Sequence, residues 1–405
     1  MQHKKNPIFI LPIIIIIIII IIIILSLRQS SADTFNIVDL GADGDGTTDS
    51  AYALSEAWSA ACASTNPSTV HIPPGRFLLG SLHLKGPCNN EAITVRIQGT
   101  LVAPSDYGWA AGNAGYWLLF EDTDGVTVLG GTLDGRGTAL WACKKKKSGK
   151  RNCPGGATTL GIAKSKNVAV IGLTSLNSQM FHIVMNGCRN VTLQNVRISA
   201  SGSSPNTDGV HVQLSTGVTI IDSKIGTGDD CVSVGPGTAG LWIENVSCGP
   251  GHGISIGSLG KEYEEAGVEN VTVKSVRFKN TQNGLRIKTW GRPSRGFVRD
   301  VLFQHAIMTN VQNPIVIDQN YCPHNQHCPG QVSGVEISDI TYQDIQGTSA
   351  TQVAVKFDCS KGKPCQGIRM ENVNLRYKDK QPQASCSYAV GSAFGLVEPT
   401  ISCLY

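Results

Sequence analysis

The sequence predicts an all-β protein: a right-handed parallel β-helix whose first coil is covered by a short N-terminal helix. Three observations predict it. A short motif recurs at Gly125, Asn167, Asn190, Gly217, Gly240, Asn270, Asp300, Gly334 and Gly367, at intervals of 23 to 42 residues. Each copy starts with Asn, Gly or Asp and runs into a β-rich segment such as Val-Thr-Val or Val-Thr-Ile. Asn and Gly tolerate the left-handed backbone of a tight corner, and the alternating aliphatic face fills a core. Second, the 405-residue chain is 41% hydrophobic but 6% aromatic, with 45 glycines, as suits short strands and narrow corners. Third, Asp208, Asp230 and His252 recur at a constant 22-residue interval, about one coil of a solenoid. A β-propeller is the rival architecture. It lacks support because there is no Trp-Asp blade signature and the period wanders.

The elements follow in order. Residues 1–32 read as a secretory signal peptide: Lys4 and Lys5, an apolar stretch with twelve isoleucines from Ile13 to Ile24, then small residues Ser30, Ser31 and Ala32. An uncleaved anchor is the alternative, since the apolar stretch approaches the ~20 residues that span a bilayer. Residues 33–405 then form a single β-helix domain, because a solenoid grows as one continuous core. Phe35 to Val38 starts a strand, and the Gly- and Asp-rich stretch Gly41–Gly46 a turn. Asp43, Asp45 and Asp49 do not have an EF-hand arrangement and read as turn chemistry. Asp49 or Ser50 caps a helix to about Ala63, with Ala51, Leu54, Trp58 and Ala61 on one stripe. Pro73-Pro74-Gly75 is a turn, and Phe77-Leu78-Leu79 a strand.

The 13 cysteines fall into sequential couples: Cys62/Cys88, Cys143/Cys153, Cys231/Cys248, Cys322/Cys328, Cys359/Cys365 and Cys386/Cys403, with Cys188 left over. Local disulfides in an oxidising, extracytoplasmic space are the simplest proposal. A metal reading of Cys322, His324, His327 and Cys328 is less favoured than a disulfide-closed loop. Asn190, Asn245 and Asn270 each open an N-glycosylation sequon, at strand starts where access is restricted. The Lys144–Lys147 run with Lys150 and Arg151 reads as a solvated basic loop, with a polyanion-binding patch as its alternative. The net charge is +4, and three of the cations lie in the acid-free leader, so charge is local rather than global. With no long basic helix, zinc spacing or nucleic-acid module, nucleic acid is not an expected partner.

The chemistry concentrates in four polar islands: Asn206-Thr207-Asp208, Gly228-Asp229-Asp230, Gly251-His252-Gly253 and Arg286-Ile287-Lys288. Residues a coil apart lie side by side, so three acids, a histidine and two cations converge on one patch. Adjacent Asp229 and Asp230 reach one cleft only at a bend, which Gly228 permits. Clustered carboxyls push one pKa upward and keep another ionised, the division of labour that acid-catalysed glycoside cleavage needs. Arg286 and Lys288 point the same way from a strand and suit a negatively charged substrate. Taken singly, each motif also reads as an exposed turn, a structural histidine or a polar strand face; their shared register favours function.

These four motifs resemble, in order and spacing, those of polygalacturonases of glycoside hydrolase family 28, over essentially the whole mature chain. The resemblance implies the right-handed parallel β-helix and hydrolysis of α-1,4-galacturonosyl linkages of pectin with inversion. Carried over, Asp229 is the general acid, and Asp208 and Asp230 activate water. His252 supports the acid. Arg286, Lys288, Asn206 and Tyr321 contact the substrate, with Arg286 and Lys288 on its carboxylate. No metal or cofactor is implied; a cell-wall inhibitor protein is implied as a partner, and a monomer is expected. The chain is most similar to plant members, the pollen-type group usually described as exo-acting, and a secreted, cell-wall location follows. Related hydrolases of rhamnogalacturonan or xylogalacturonan, a pectate lyase, and a catalytically silent β-helix that binds wall polysaccharide are the alternatives.

Overall fold

The computed structural model describes residues 32–106, 115–145, 153–323 and 326–404. The leader and residues Lys146, Lys147, Lys150, Arg151 and His324 lie outside the described residues. Among those described, no helix is long and apolar enough to cross a membrane.

The chain winds into a parallel β-helix. One face is an 11-stranded sheet running from Leu82–Lys85 through Val210–Gln213 and Asn283–Trp290 to Gln383–Ser387. A 23-stranded sheet supplies the other faces in two ladders. One ladder contains Lys166–Ile171, Arg189–Gln194 and Thr216–Ile221; the other contains Thr174–Leu176, Arg197–Ser199 and Lys224–Gly226. The first residues of the recurring motif are the corners. Gly125, Asn167, Asn190, Gly217, Gly240, Asn270, Asp300 and Gly367 all have φ between 53° and 67°. Gly334 is not among the left-handed positions, and its missing Cβ answers to space instead: a Cβ there would lie 2.4 Å from the Ser294 backbone. The corner amides also stack. Asn190 Nδ2 donates to Asn167 Oδ1 at 2.7 Å, and Asn245 Nδ2 to Asp222 Oδ1 at 2.6 Å. Inside, Val191, Val218, Leu241, Val271 and Val301 stack in register and are fully buried.

The N-terminal helix spans Ala51–Ala63 and buries Leu54, Ala57, Trp58 and Ala61. Its cap is Asp49, whose Oδ1 accepts from the Ala51 N–H at 2.9 Å and the Gly80 N–H at 3.0 Å; Ser50 makes no side-chain cap bond. Trp58 packs edge-on against Phe120 at 5.4 Å, fixing the helix over the first coils. Asp45 opens the strand Asp45–Asp49 and accepts locally from the Thr47 and Thr48 N–H groups at 2.6 and 2.8 Å. The first strand is Asp33–Asn36, displaced by two residues from the expected start.

One element was not expected. Thr138–Lys145 is a second helix, anchored by Trp141, whose Nε1 donates to Ser178 O at 3.1 Å. It carries the first two residues of the lysine run. Lys144 Nζ donates to Gly155 O at 2.7 Å and Lys145 Nζ to Ser203 Oγ at 2.6 Å, so these two are tied to neighbouring loops rather than free in solvent. All six sequential cysteine couples are disulfides, and Cys188 is free and buried. The Cys322–Cys328 bond removes both thiolates from the metal reading of that loop.

Candidate active site

Three successive coils enter the 11-stranded sheet at one place. Asp208 precedes Val210–Gln213, Asp229 and Asp230 precede Val232–Val234, and His252 precedes Ile254–Leu259. The coils are stacked through backbone bonds from Gly209 N–H to Asp230 O (2.8 Å) and from Cys231 N–H to Gly253 O (2.7 Å). The expected bend lies at Gly228 and Asp229. Gly228 is required there by close approach: a Cβ would lie 2.1 Å from Ser204 O. Thr207 braces the same turn, its Oγ1 accepting from the Gly228 N–H at 3.2 Å.

At this bend the two adjacent acids diverge in environment. Asp230 is 1% exposed. Its Oδ1 accepts from Ser255 Oγ and Arg286 Nη2, both at 2.9 Å, and its Oδ2 from Lys288 Nζ at 2.8 Å. Burial alone would raise its pKa, but the Lys288 and Arg286 charges outweigh that and hold it below the usual carboxylate value. Asp229 has its side chain 20% exposed to the cleft, and its Oδ1 lies 3.0 Å from His252 Nδ1. His252 therefore reaches back to Asp229, not to Asp230, its partner in the 22-residue interval. Asp208 is buried, and its pKa is raised well above the ordinary value by that burial and by the charges of Asp229 and Asp230. The raised carboxyl expected from clustering thus falls on Asp208, which among the described residues has no cation bonded to it in the way Asp230 has.

The structure brings the remaining expected residues to the same face with different degrees of commitment. Arg286 and Lys288 are bonded to Asp230, where the sequence suggested cations waiting for a substrate carboxylate. Tyr321 lies beside them, its ring centroid 5.3 Å from Lys288 Nζ and 5.5 Å from the Trp290 ring. Asn206 is exposed, with φ 55°, on the turn that delivers Asp208. Asp229, Asp230 and His252 place ligand atoms within 4.8 Å of one another. Both oxygens of Asp230 are already taken and two cations adjoin, so the set is poorly suited to a metal ion.

Sequence reasoning missed a row on the same face. His211 faces Ser233, Ser233 faces Ser255 and Ser255 faces Arg286 across the ladder. His211 Nδ1 lies 2.8 Å from Ser233 Oγ, and Arg286 Nε donates to Ser255 Oγ at 2.9 Å. Phe181 stacks on His211 at 5.3 Å. The signal was present, since His211, Ser233 and Ser255 have the same 22-residue spacing as the recognised triad. Asp318, in register with Lys288, was also missed; burial raises its pKa.

Residues 62–395 match the profile of glycosyl hydrolases family 28. The chain belongs to this family. Residues 34–89 match a second profile, rhamnogalacturonase A/epimerase, pectate lyase-like. Among curated relatives, a polygalacturonase of Prunus persica is 64% identical over 92% of this chain and 93% of its own length. An exopolygalacturonase of Platanus acerifolia is 44% identical over 93% and 99%. A solved exopolygalacturonase of Thermotoga maritima shares the fold: it superposes with TM-score 0.72 at 20% identity, covering 90% of this chain and 91% of its own. The Asp208, Asp229, Asp230 and His252 cluster is thus the candidate active site of a family 28 glycoside hydrolase.

Proposed function

We propose that this protein is a polygalacturonase that hydrolyses α-1,4-galacturonosyl linkages of pectin, with Asp229 as proton donor. The observation that carries the reading is the split between two adjacent carboxyls: Asp230 buried and held ionised by Lys288 and Arg286, Asp229 open to the cleft and bonded to His252. The relatives' names supply the substrate class.

In the proposed reaction Asp229 protonates the glycosidic oxygen as its bond to the anomeric carbon breaks. Water attacks that carbon and loses a proton to the ionised member of the Asp208/Asp230 pair. One proton leaves the cluster and one returns, so its proton count is restored, and the proton is a property of the coupled group rather than of one acid. Arg286, Lys288 and Tyr321 flank the sugar carboxylate, with Asn206 at the rim. We infer inversion. The Asp229 and Asp230 oxygens lie within 4.8 Å, nearer than the ~6.5–9.5 Å usual for opposed inverting carboxyls. Asp230, saturated by three donors, is a poor covalent nucleophile.

Exo-action is proposed because a 44% identical relative over nearly the whole chain is an exopolygalacturonase. The disulfides suit a secreted, cell-wall enzyme. A monomer that a wall inhibitor protein can recognise completes the reading. The test is a product time course on de-esterified polygalacturonic acid, with NMR of the first-formed anomer. Monomer from the start with slow viscosity loss and inverted anomer is expected. Mixed oligomers would mean endo-action, a retained anomer would overturn inversion, and an unsaturated end would mean a lyase. Asp229→Asn is expected to lower kcat by about 10²–10⁴ while still binding polymer. Absence of any turnover in the parent would leave the silent binder or a branched-pectin hydrolase.

A further inference from the structure

A second concavity opens on loops that follow three strands of the 11-stranded sheet, at the strand ends opposite those that the acids precede. Lys261, Tyr263, Arg292, Pro293, Pro329 and Gln331 line it, and its volume is about 440 Å³. A row of ring contacts links it to Lys288. Tyr321, beside Lys288, meets Trp290 edge-on at 5.5 Å, and the Arg292 guanidinium lies 5.4 Å from the Trp290 ring.

The charges of this pocket are unbalanced. Glu264 pairs with Arg295 at 3.1 Å, and Glu265 is occupied by the Gly260 N–H. Glu262 is exposed on the same loop. Among the described residues, neither Lys261 nor Arg292 makes an ion pair. Arg292 Nη1 donates to Lys261 O at 3.0 Å, which fixes the guanidinium across the pocket mouth. Tyr263 is 53% exposed, backed by Arg295 at 5.2 Å from its ring, and the two prolines complete an apolar wall. A flat apolar wall suits the C–H face of a sugar ring, two free cations suit a carboxylate, and an amide suits hydroxyls.

We propose that this pocket is a distal subsite for one uronate residue of the polymer, several sugars from the cleaved bond on the Tyr321 side. Arg292 and Lys261 hold its carboxylate and Tyr263 its ring. The inference rests on the polygalacturonate reading above and adds a specificity to it. Chains long enough to reach the pocket are preferred, and a methyl ester on the sugar that occupies it weakens that preference.

The experiment compares kcat/KM for a long oligogalacturonate and for a trisaccharide, in the parent, Lys261→Gln and Arg292→Ala. Lys261→Gln keeps the backbone carbonyl that Arg292 uses, so it separates charge from loop geometry. The long-to-short ratio is expected to fall about tenfold in each variant, equivalent to ~1.4 kcal/mol, and less at high salt. An unchanged ratio in both variants, or an equal fall in Lys378→Gln in the turn that follows the Cys365–Arg376 strand of the other sheet, would overturn the subsite. Should the parent not cleave polygalacturonate, the activity reading fails by itself. Equilibrium binding of the long oligogalacturonate then decides the subsite: weaker binding by Lys261→Gln supports it, and equal binding overturns it.

Discussion

Lys288 Nζ lies 2.8 Å from Asp230 Oδ2, and the side chains are 9% and 1% exposed. The pair keeps Asp230 ionised in a place where burial would otherwise protonate it. A depressed carboxyl pKa means that the ionised base persists as the medium becomes acidic. Lys288→Met removes one of the two cations responsible, so Asp230 takes up its proton at higher pH. The acid limb of the kcat/KM profile is expected to move upward, with activity lowered across the range. A profile that keeps its limb with a uniformly lower rate would place Lys288 in substrate binding alone.

Asp208 titrates in the opposite sense. Its pKa is raised by burial and by Asp229 and Asp230. The folded protein therefore binds that proton more tightly than the unfolded chain does. Ionised Asp208 is a stability penalty, absent below the ordinary carboxylate pKa and growing as pH rises toward the folded value. Asp208→Asn is expected to raise Tm at neutral pH more than at pH about 3.5, while activity falls. Thermal unfolding across a pH series measures it. A Tm difference independent of pH would mean that Asp208 stays unprotonated or is indifferent.

His182 is a further pH-sensitive element, buried on the coil next to Asp208, whose backbone oxygen accepts from the His182 N–H at 2.8 Å. It is fully buried, its Nδ1 lies 2.8 Å from Ser175 Oγ, and its Nε2 has no hydrogen-bond partner among the described residues. Burial lowers its pKa to about 3. The unfolded chain binds the imidazole proton near the ordinary value of 6.5, so stability is unaffected above that value and declines as pH falls from there toward 3. The slope is up to about 1.4 kcal/mol per pH unit. His182→Gln is expected to lower Tm at neutral pH and to flatten its fall between pH about 6.5 and 4.

Gly228 is a test of close approach rather than of charge. A Cβ would meet Ser204 O at 2.1 Å and Ser204 N at 2.4 Å, both backbone atoms that cannot swing aside. Gly228→Ala is expected to cost about 1–3 kcal/mol of stability. It should lower kcat more than Asn206→Ala does, because the bend aims both Asp229 and Asp230. A thermally normal, fully active Gly228→Ala would show that the turn has slack.

Much of this molecule is readable along the chain because a solenoid converts sequence interval into spatial adjacency. Asn167, Asn190, Gly217 and Gly240 announce corners because few other residues tolerate positive φ. Cysteines one turn or one loop apart pair with their nearest sequence partner, which is why all six couples were legible. The Thr138–Lys145 helix was not, because its Ala-Leu-Trp-Ala core is only one turn long and lies inside a stretch whose cysteines and lysines draw the eye. His211, Ser233 and Ser255 were overlooked although they obey the same period, since serines in a β-rich chain carry no distinct chemistry until a carboxylate is seen against them.

By itself the sequence determined the coil architecture and the membership of Asp208, Asp229, Asp230 and His252 in one cluster, and it made local disulfide pairing the simplest proposal. Each of these depends on local backbone preference or on a repeat interval. Tertiary structure decided which acid each cation holds, that His252 faces Asp229 rather than Asp230, and that the raised pKa belongs to Asp208. Those outcomes depend on burial and on distances of a few ångströms between side chains from different coils. The Coulomb and desolvation terms that set protonation vary steeply over such distances. A 22-residue spacing says that two residues are neighbours; it does not say which of them is left in the dry interior with a charge beside it.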